Sequence, residues 1–391
     1  MARKKGRRKK RSPSLYTALA AFSGAAALFL ISLLYLAGLG GRSATPPFGE
    51  IISPASASLN RQITSIDHAI YRLLRKAKVP QGNIAFLGVK PRHDHLMEWD
   101  FTELLICMPR QGLVSAFEKD LKQGLSSTEP PVRIRGEGGL RGERVVHLYA
   151  GPYYTHRIRL RFESQGPVRL EKKPRIALII DDLGYDLELA ESLLGLQLAL
   201  NLAILPKAPF TKKIAEAAQR KGCEVMLHLP MEPEDHPKVD PGPGALLTKM
   251  SEKEIKALFE EHIKQVPGAR GVNNHMGSRF TRSEAKMGTL LSELKQRGLF
   301  YVDSRTTNRT VALDVARRLG VAAAERSVFI DNELAHEAMS FQLQRLLSIG
   351  RHSGKAVGIA HPHPETVDFL RKNLPLLKKE ADMVPISEIV E

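Results

Sequence analysis

The sequence predicts an α/β fold. Residues 174–391 read as a β/α barrel or a doubly wound parallel sheet, preceded by a small α+β module (59–165) and one N-terminal transmembrane helix (16–39). Three observations carry this. Apolar strand-like runs alternate with helical stretches beyond residue 174. A long charge-free stretch follows a basic cluster at the N-terminus. Between the two, helix and strand patterns occur without that regular alternation.

Tyr16 to Leu39, "YTALAAFSGAAALFLISLLYLAGL", holds no charged residue. As a helix at about 1.5 Å per residue it spans roughly 36 Å, enough to cross a bilayer core. Ahead of it, residues 1–15 form a basic tail in which Arg3, Lys4, Lys5, Arg7, Arg8, Lys9, Lys10 and Arg11 supply eight positive charges. Such a cluster stays in the cytoplasm, so the bulk of the chain is expected on the periplasmic or extracellular side of the inner membrane. The competing reading is a cleaved signal peptide, whose apolar region is usually shorter, about 7–15 residues. Residues 40–58, rich in Gly, Pro, Ser and Ala, read as a linker.

Net charge is +16, so the other 380 residues carry only +8. That mild balance, without a basic motif interleaved with aromatics, argues against a nucleic-acid partner. Cys107 and Cys223 lie far apart, each in an apolar run, and are expected to be small buried hydrophobes rather than a disulfide.

In the 59–165 module, "RQITSIDHAIYRLLRKA" and "LVSAFEKDLKQGL" have helical periodicity, and "WDFTELLICM", "VRIRG", "RVVHLYA" and "HRIRLRFE" read as strands. No chemical constellation stands out there; a docking or structural role, with an unidentified protein partner, is the default. Residues 164–174 form a polar hinge. Strands then follow at 175–180, 198–205, 224–228, 269–274, 298–303, 327–331, 356–361 and 383–387. They are mostly apolar, as parallel strands covered on both faces should be. Ser251 with Glu254, and Thr281 with Glu284, fit capping boxes.

In a parallel β/α fold the C-terminal strand ends gather on one rim, where active sites lie. Here the ends carry Asp181 and Asp182, then His228, then Asn273, Asn274 and His275, then Asp303, Asp331, and His361 with His363. Among the first seven strands only the second offers no titratable group at its tip. Each has an ordinary explanation: a lone Asp such as Asp303 or Asp331 often caps a helix, and the Asp181–Asp182 pair has a helix after Gly184 to cap. Together on one rim they point to a metal-assisted hydrolytic site. Imidazole plus carboxylate without thiolate suits Zn2+, with other divalent transition metals open.

"ALIIDDLG", "MLHLPMEP", "GVNNHMGSRFT", "YVDSRT", "FIDN" and "GIAHPHPET", in this order, resemble the divergent polysaccharide deacetylases. The resemblance covers residues 174–391. It implies a distorted (β/α) barrel and the metal-dependent removal of N- or O-acetyl groups from a cell-envelope glycan. It also implies roles: Asp181 as catalytic base, Asp182 as metal ligand, and His361 as general acid toward the leaving group. His228 stands where that family's His-x-x-x-His metal motif begins, but Glu232 replaces the second histidine. The ligand set is therefore Asp182, His228 and His275, with Glu232 in reserve. Asn274, Asp303, Asp331 and His363 are secondary candidates; the arginine–proline segment that frames that family's site is absent as such, and "NNHMGSR" stands in its place with Arg279 as the candidate equivalent.

Two rivals remain at this stage. A metal-dependent phosphoesterase or amidase would use Arg279, Arg305 and Arg309 as a basic clamp. A non-catalytic envelope protein on the same fold would bind glycan or a partner without turning it over.

Overall fold

The computed structural model describes residues 54–94, 97–110, 112–126, 128, 131–139, 143–162 and 173–391. The basic tail, the 16–39 segment and most of the linker lie outside the described residues, as does most of the hinge. No helix among the described residues is long and apolar enough to cross a membrane.

The first helix, α1 (Pro54–Lys76), begins inside the stretch read as linker. The five strands after it are β1 (Ile84–His93), β2 (Glu98–Met108), β3 (Val132–Gly138), β4 (Arg144–Ala150) and β5 (Tyr153–Phe162), with helix α2 (Gly112–Leu125) between β2 and β3. They form one sheet in the order β1-β2-β5-β4-β3. Strand β1 escaped the sequence reading because Pro91 interrupts it and its pairing slips between Phe86 and Gly88. Both are tolerated on an edge strand. The period-2 pattern divides the sheet's faces. Leu104, Ile106, Leu148, Ile158 and Leu160 pack with Ile66, Ile70, Leu121 and Leu125 from the two helices. The other face carries Arg157, Arg159 and Arg161 at alternate positions of β5.

The second sheet is parallel, in the order β11-β10-β9-β8-β7-β6-β13-β12. Its strands are β6 (Arg175–Leu183), β7 (Leu200–Ile204), β8 (Glu224–Met231), β9 (Ala269–Met276), β10 (Phe300–Asp303), β11 (Ala323–Glu325), β12 (Val328–Phe329) and β13 (Lys355–Ala360). Read as a ring, that order follows the chain from β6 to β11 and returns through β12 and β13. This is a barrel opened between β11 and β12, not a doubly wound sheet. Strand β11 went unread in the sequence because Ala-Ala-Glu carries no strand pattern. The short β14 (Asp382–Met383) pairs with β6 at Arg175 and Ile176, its start. Beyond it, Val384, Ile386 and Ile389 pack with Ala177, Ile179 and Met226. The C-terminal segment thus closes the end of the barrel opposite the strand tips.

Alternation along these strands positions the site. Ala177, Ile179, Met226, Phe300, Val302, Val357 and Ile359 share one inner cluster. Ile176, Leu178, Ile180, Leu227, Val272 and Tyr301 face the helices. Continuing the inner set two residues at a time reaches Asp181, His228, Asn273, His275, Ser304 and His361 at the rim. Gly271 belongs to the inner set because a Cβ there would lie 2.0 Å from the Phe300 ring on the paired strand. Gly271→Ala is therefore expected to destabilise the protein by about 1–3 kcal/mol, the usual cost of overpacking, read from a denaturant midpoint. An unchanged midpoint would mean that Phe300 can move aside.

The two sheets meet through helix α3 (His336–Ser353). Phe341 packs edge-on against Tyr71 and Phe86 at 5.4 and 5.9 Å between ring centres. Ser348 Oγ accepts from Phe86 N at 2.9 Å and donates to Ile84 O, satisfying backbone groups of edge strand β1. Ser251 and Glu254 form the expected capping box. Thr281 and Glu284 do not: the helix starts after Ser283, and Thr281 Oγ1 donates to Gly277 O. Cys107 and Cys223 form no disulfide and are half-buried.

Candidate active site

Neighbouring residues of a regular strand point to opposite faces, so Asp181 and Asp182 need a special backbone to share a site. The β6–β7 pairing slips between Ile180 and Leu183, and Asp182 takes a left-handed φ of 57°. Aspartate tolerates that conformation better than most residues. Asp181 keeps the inward course and is 2% exposed, while the bulge swings Asp182 round to the rim. Neither caps the next helix. Asp186 does, accepting from Leu189 N at 2.9 Å.

Three side chains converge. Asp182 Oδ1 lies 3.0 Å from His228 Nε2 and 2.8 Å from His275 Nδ1. The two ring nitrogens are 3.2 Å apart. Burial disfavours the charged Asp182, but His275 and His228 outweigh it and hold its carboxyl well below the usual range. Burial likewise opposes charge on His228, yet Asp181 and Asp182 raise its pKa. One carboxylate oxygen and two imidazole nitrogens thus stand together as a donor set able to hold a metal ion. A tetrahedral ion with bonds of about 2.0–2.1 Å holds its ligands about 3.3 Å apart. The donors stand only slightly closer than that, so these residues fit a divalent ion.

Asn273 organises the set. His228 Nδ1 lies 2.9 Å from Asn273 Oδ1, and Asn273 Nδ2 donates to Asp181 Oδ1 at 2.8 Å and to Ser304 Oγ at 3.2 Å. An amide oxygen only accepts, so Nδ1 donates to it, and Nε2, which faces Asp182 Oδ1, is the nitrogen that would take an ion. Burial raises the pKa of Asp181, against the charges of His228 and His361.

Across the rim, His361 Nδ1 donates to Asp331 Oδ1 at 2.9 Å, and its backbone N–H donates to Asp331 Oδ2 at 2.7 Å. Thr366 Oγ1 donates to the same Oδ2, and Phe329 stacks on the imidazole with centres 5.7 Å apart. Burial opposes protonation of His361, but Asp331, Asp182 and Asp181 push its pKa up to about 9. Asp331, a secondary site candidate whose ordinary alternative was a helix cap, is thus the residue that orients this imidazole.

The remaining candidates have other work. Asn274 is out of phase with the inner set: its Oδ1 accepts from Tyr301 Oη and Ser304 N, and its Nδ2 donates to Met276 O. Asp303 is out of phase too and ties its own loop, accepting from Arg305 N and Thr310 Oγ1. Glu232 is not among the convergent ligands. Its carboxylate is taken by Thr248 and Arg279, the latter at 3.0 Å. Arg279 also donates to Glu234 O. His363 sits past the strand end, its ring centre 6.2 Å from that of His361. Arg305 faces Glu325, and Arg309 faces Glu98, so with Arg279 bound to Glu232 the three do not form a phosphate clamp. Asn273 and Ser304 had no assigned role from sequence, although strand parity singles them out.

Comparison with known proteins agrees with this architecture. Residues 178–390 match the family described as divergent polysaccharide deacetylase. The chain is 32% identical over 216 residues to the uncharacterized Escherichia coli protein YibQ, covering 55% of this chain and 67% of that one. It is 29% identical over 215 residues to an uncharacterized Haemophilus influenzae protein, covering 55% and 76%. A crystal structure of an uncharacterized Agrobacterium tumefaciens protein superposes with a TM-score of 0.53 at 22% identity, covering 57% of this chain and 92% of that one, a likeness of fold.

Proposed function

Because the chain belongs to the divergent polysaccharide deacetylase family, we propose that it removes acetyl groups from a cell-envelope polysaccharide by Zn2+-dependent hydrolysis. We place it on the inner membrane, anchored by residues 16–39, with its bulk outside the cytoplasm. One observation supports the chemistry above others: Asp182, His228 and His275 share one chelating point beside the buried Asp181.

Asp182, His228 and His275 would hold a divalent ion, which would lower the pKa of a bound water to about 7 and polarise the acyl oxygen. Asp181, its carboxylate held by the Asn273 amide, is placed to accept the proton of the attacking water. The water oxygen bonds to the acetyl carbon as the bond from that carbon to the sugar nitrogen or oxygen breaks. His361 gives its proton from Nε2 to the departing group, because Nδ1 is engaged by Asp331. Acetate and a free amine or hydroxyl result. The test is acetate release by the full chain from peptidoglycan and chitin-type oligosaccharides. Wild-type release that Asp181→Asn lacks supports the proposal, and no release from any acetylated glycan overturns it.

A pH dependence follows from the His361–Asp331 pair. With its pKa raised to about 9, His361 remains a proton donor through neutral pH and loses that capacity as pH rises through about 9. Asp331→Asn removes the first stabilising partner while burial still opposes charge. The basic limb of the pH–rate profile is expected to move toward or below the ordinary value near about 6.5. An unmoved limb would assign the proton to another group.

A further inference from the structure

Positive charge is not spread evenly over the folded part. Residues 54–162 hold 17 Lys and Arg against 10 Asp and Glu, whereas 173–391 hold 30 against 29. Much of the excess lies on the open face of the five-stranded sheet. There one stack crosses all five strands in their spatial order. Arg92 on β1 lies over Phe101 on β2, 4.3 Å from the ring centre. Phe101 packs on Tyr154 of β5 at 4.8 Å, and Tyr154 stacks on Tyr149 of β4 at 4.9 Å. Arg133 and Arg135 on β3 lie over Tyr149 at 4.6 and 5.8 Å. Four strand gaps make this track about 19 Å wide. Its β1 end adjoins the barrel rim, where Asn308, on the loop after β10, donates to Arg92 O and Trp99 O.

Cross-strand arginine–tyrosine pairs stabilise a sheet by themselves. That role does not require the two β3 arginines to be exposed without an acid. Arg157 pairs with Glu103, and Arg159 and Arg161 pair with Glu143. Arg133 and Arg135 are exposed and have no carboxylate within ion-pair distance among the described residues. Beside them Arg135, Gly136, Glu137, His147 and Tyr149 line an open cleft of about 480 Å³.

We propose that this face binds an acidic polysaccharide, with sugar rings along the Tyr154–Tyr149 stack and carboxylates on Arg133 and Arg135. A guanidinium held over a tyrosine face still has N–H donors that a carboxylate can engage. Sparse charge on the ligand is implied, because Glu103 and Glu143 already engage the three β5 arginines and leave an excess of one charge there. Nucleic acid, with a phosphate every few ångströms, would need more unpaired cations. A lipid surface would need protruding apolar side chains, whereas the tyrosines here are half-buried. The proposal extends the glycan reading but rests on other residues than the chelating set, so each fails separately.

The test is calorimetric titration of the full chain with oligogalacturonate, neutral chitohexaose, single-stranded oligothymidylate and phosphatidylglycerol vesicles. Oligogalacturonate is expected to bind, more weakly as salt rises. The Arg133→Gln/Arg135→Gln double variant is expected to lose at least about tenfold in affinity, while Asp182→Asn binds as wild type. Tyr149→Ala is expected to lower the melting temperature modestly, because it removes a cross-strand stack, and to weaken binding at temperatures where the variant is still fully folded. Binding of chitohexaose as strong as oligogalacturonate, indifference to the double variant, or tighter arginine-dependent binding of the oligonucleotide or vesicles would each overturn it.

Discussion

Asp182→Asn is expected to abolish divalent-ion binding and acetate release together while leaving the fold intact. Asp182 is the shared neighbour of both histidines, at 3.0 and 2.8 Å. Losing its charge removes the anionic member of the set, and affinity should fall by more than about 100-fold, beyond the effect of losing a supporting partner. Asparagine is the informative replacement because it accepts the left-handed φ of 57° found here. Alanine would add backbone strain to the lost ligand and confuse the two. Elemental analysis and a thermal melt on the same sample separate them. An Asn variant that keeps its ion would remove Asp182 from the ligand set.

Asp181→Asn should behave differently. Its carboxylate lies 3.8 Å from His228 Nδ1 and takes its hydrogen bond from Asn273 rather than from the chelating point. The ion is therefore expected to stay, while turnover falls by about 10²–10⁴-fold, the usual value of a positioned base. The contrast between the two neighbours is the sharp part: one substitution empties the site, the other leaves it full and idle. Near-normal turnover in Asp181→Asn would show that another group takes the proton.

Most strands were legible because a covered parallel strand is an apolar run, and its end is marked by the first polar residues. The failures have local causes. Strand β1 carries Pro91, and β11 is only three residues long. At the rim, side-chain parity separated Asn273 from Asn274 and Ser304 from Asp303 more cleanly than residue type did. The Asp181–Asp182 bulge breaks that parity, and nothing in "IIDDLG" announces it. Asp331 looked like a cap because its partner His361 stands thirty residues away, joined only by the pairing of β12 with β13. Glu232 had the right chemistry for a ligand, but Thr248 and Arg279 hold it, a contact invisible along the chain.

The most direct measurement is X-ray absorption at the zinc edge of full chain stripped by chelation and reloaded with one equivalent of Zn2+. Two imidazole nitrogens and one carboxylate oxygen at about 2.0–2.2 Å, with no sulfur, are expected. A shell of water alone, a thiolate ligand, or failure to retain the ion would contradict a centre built from Asp182, His228 and His275.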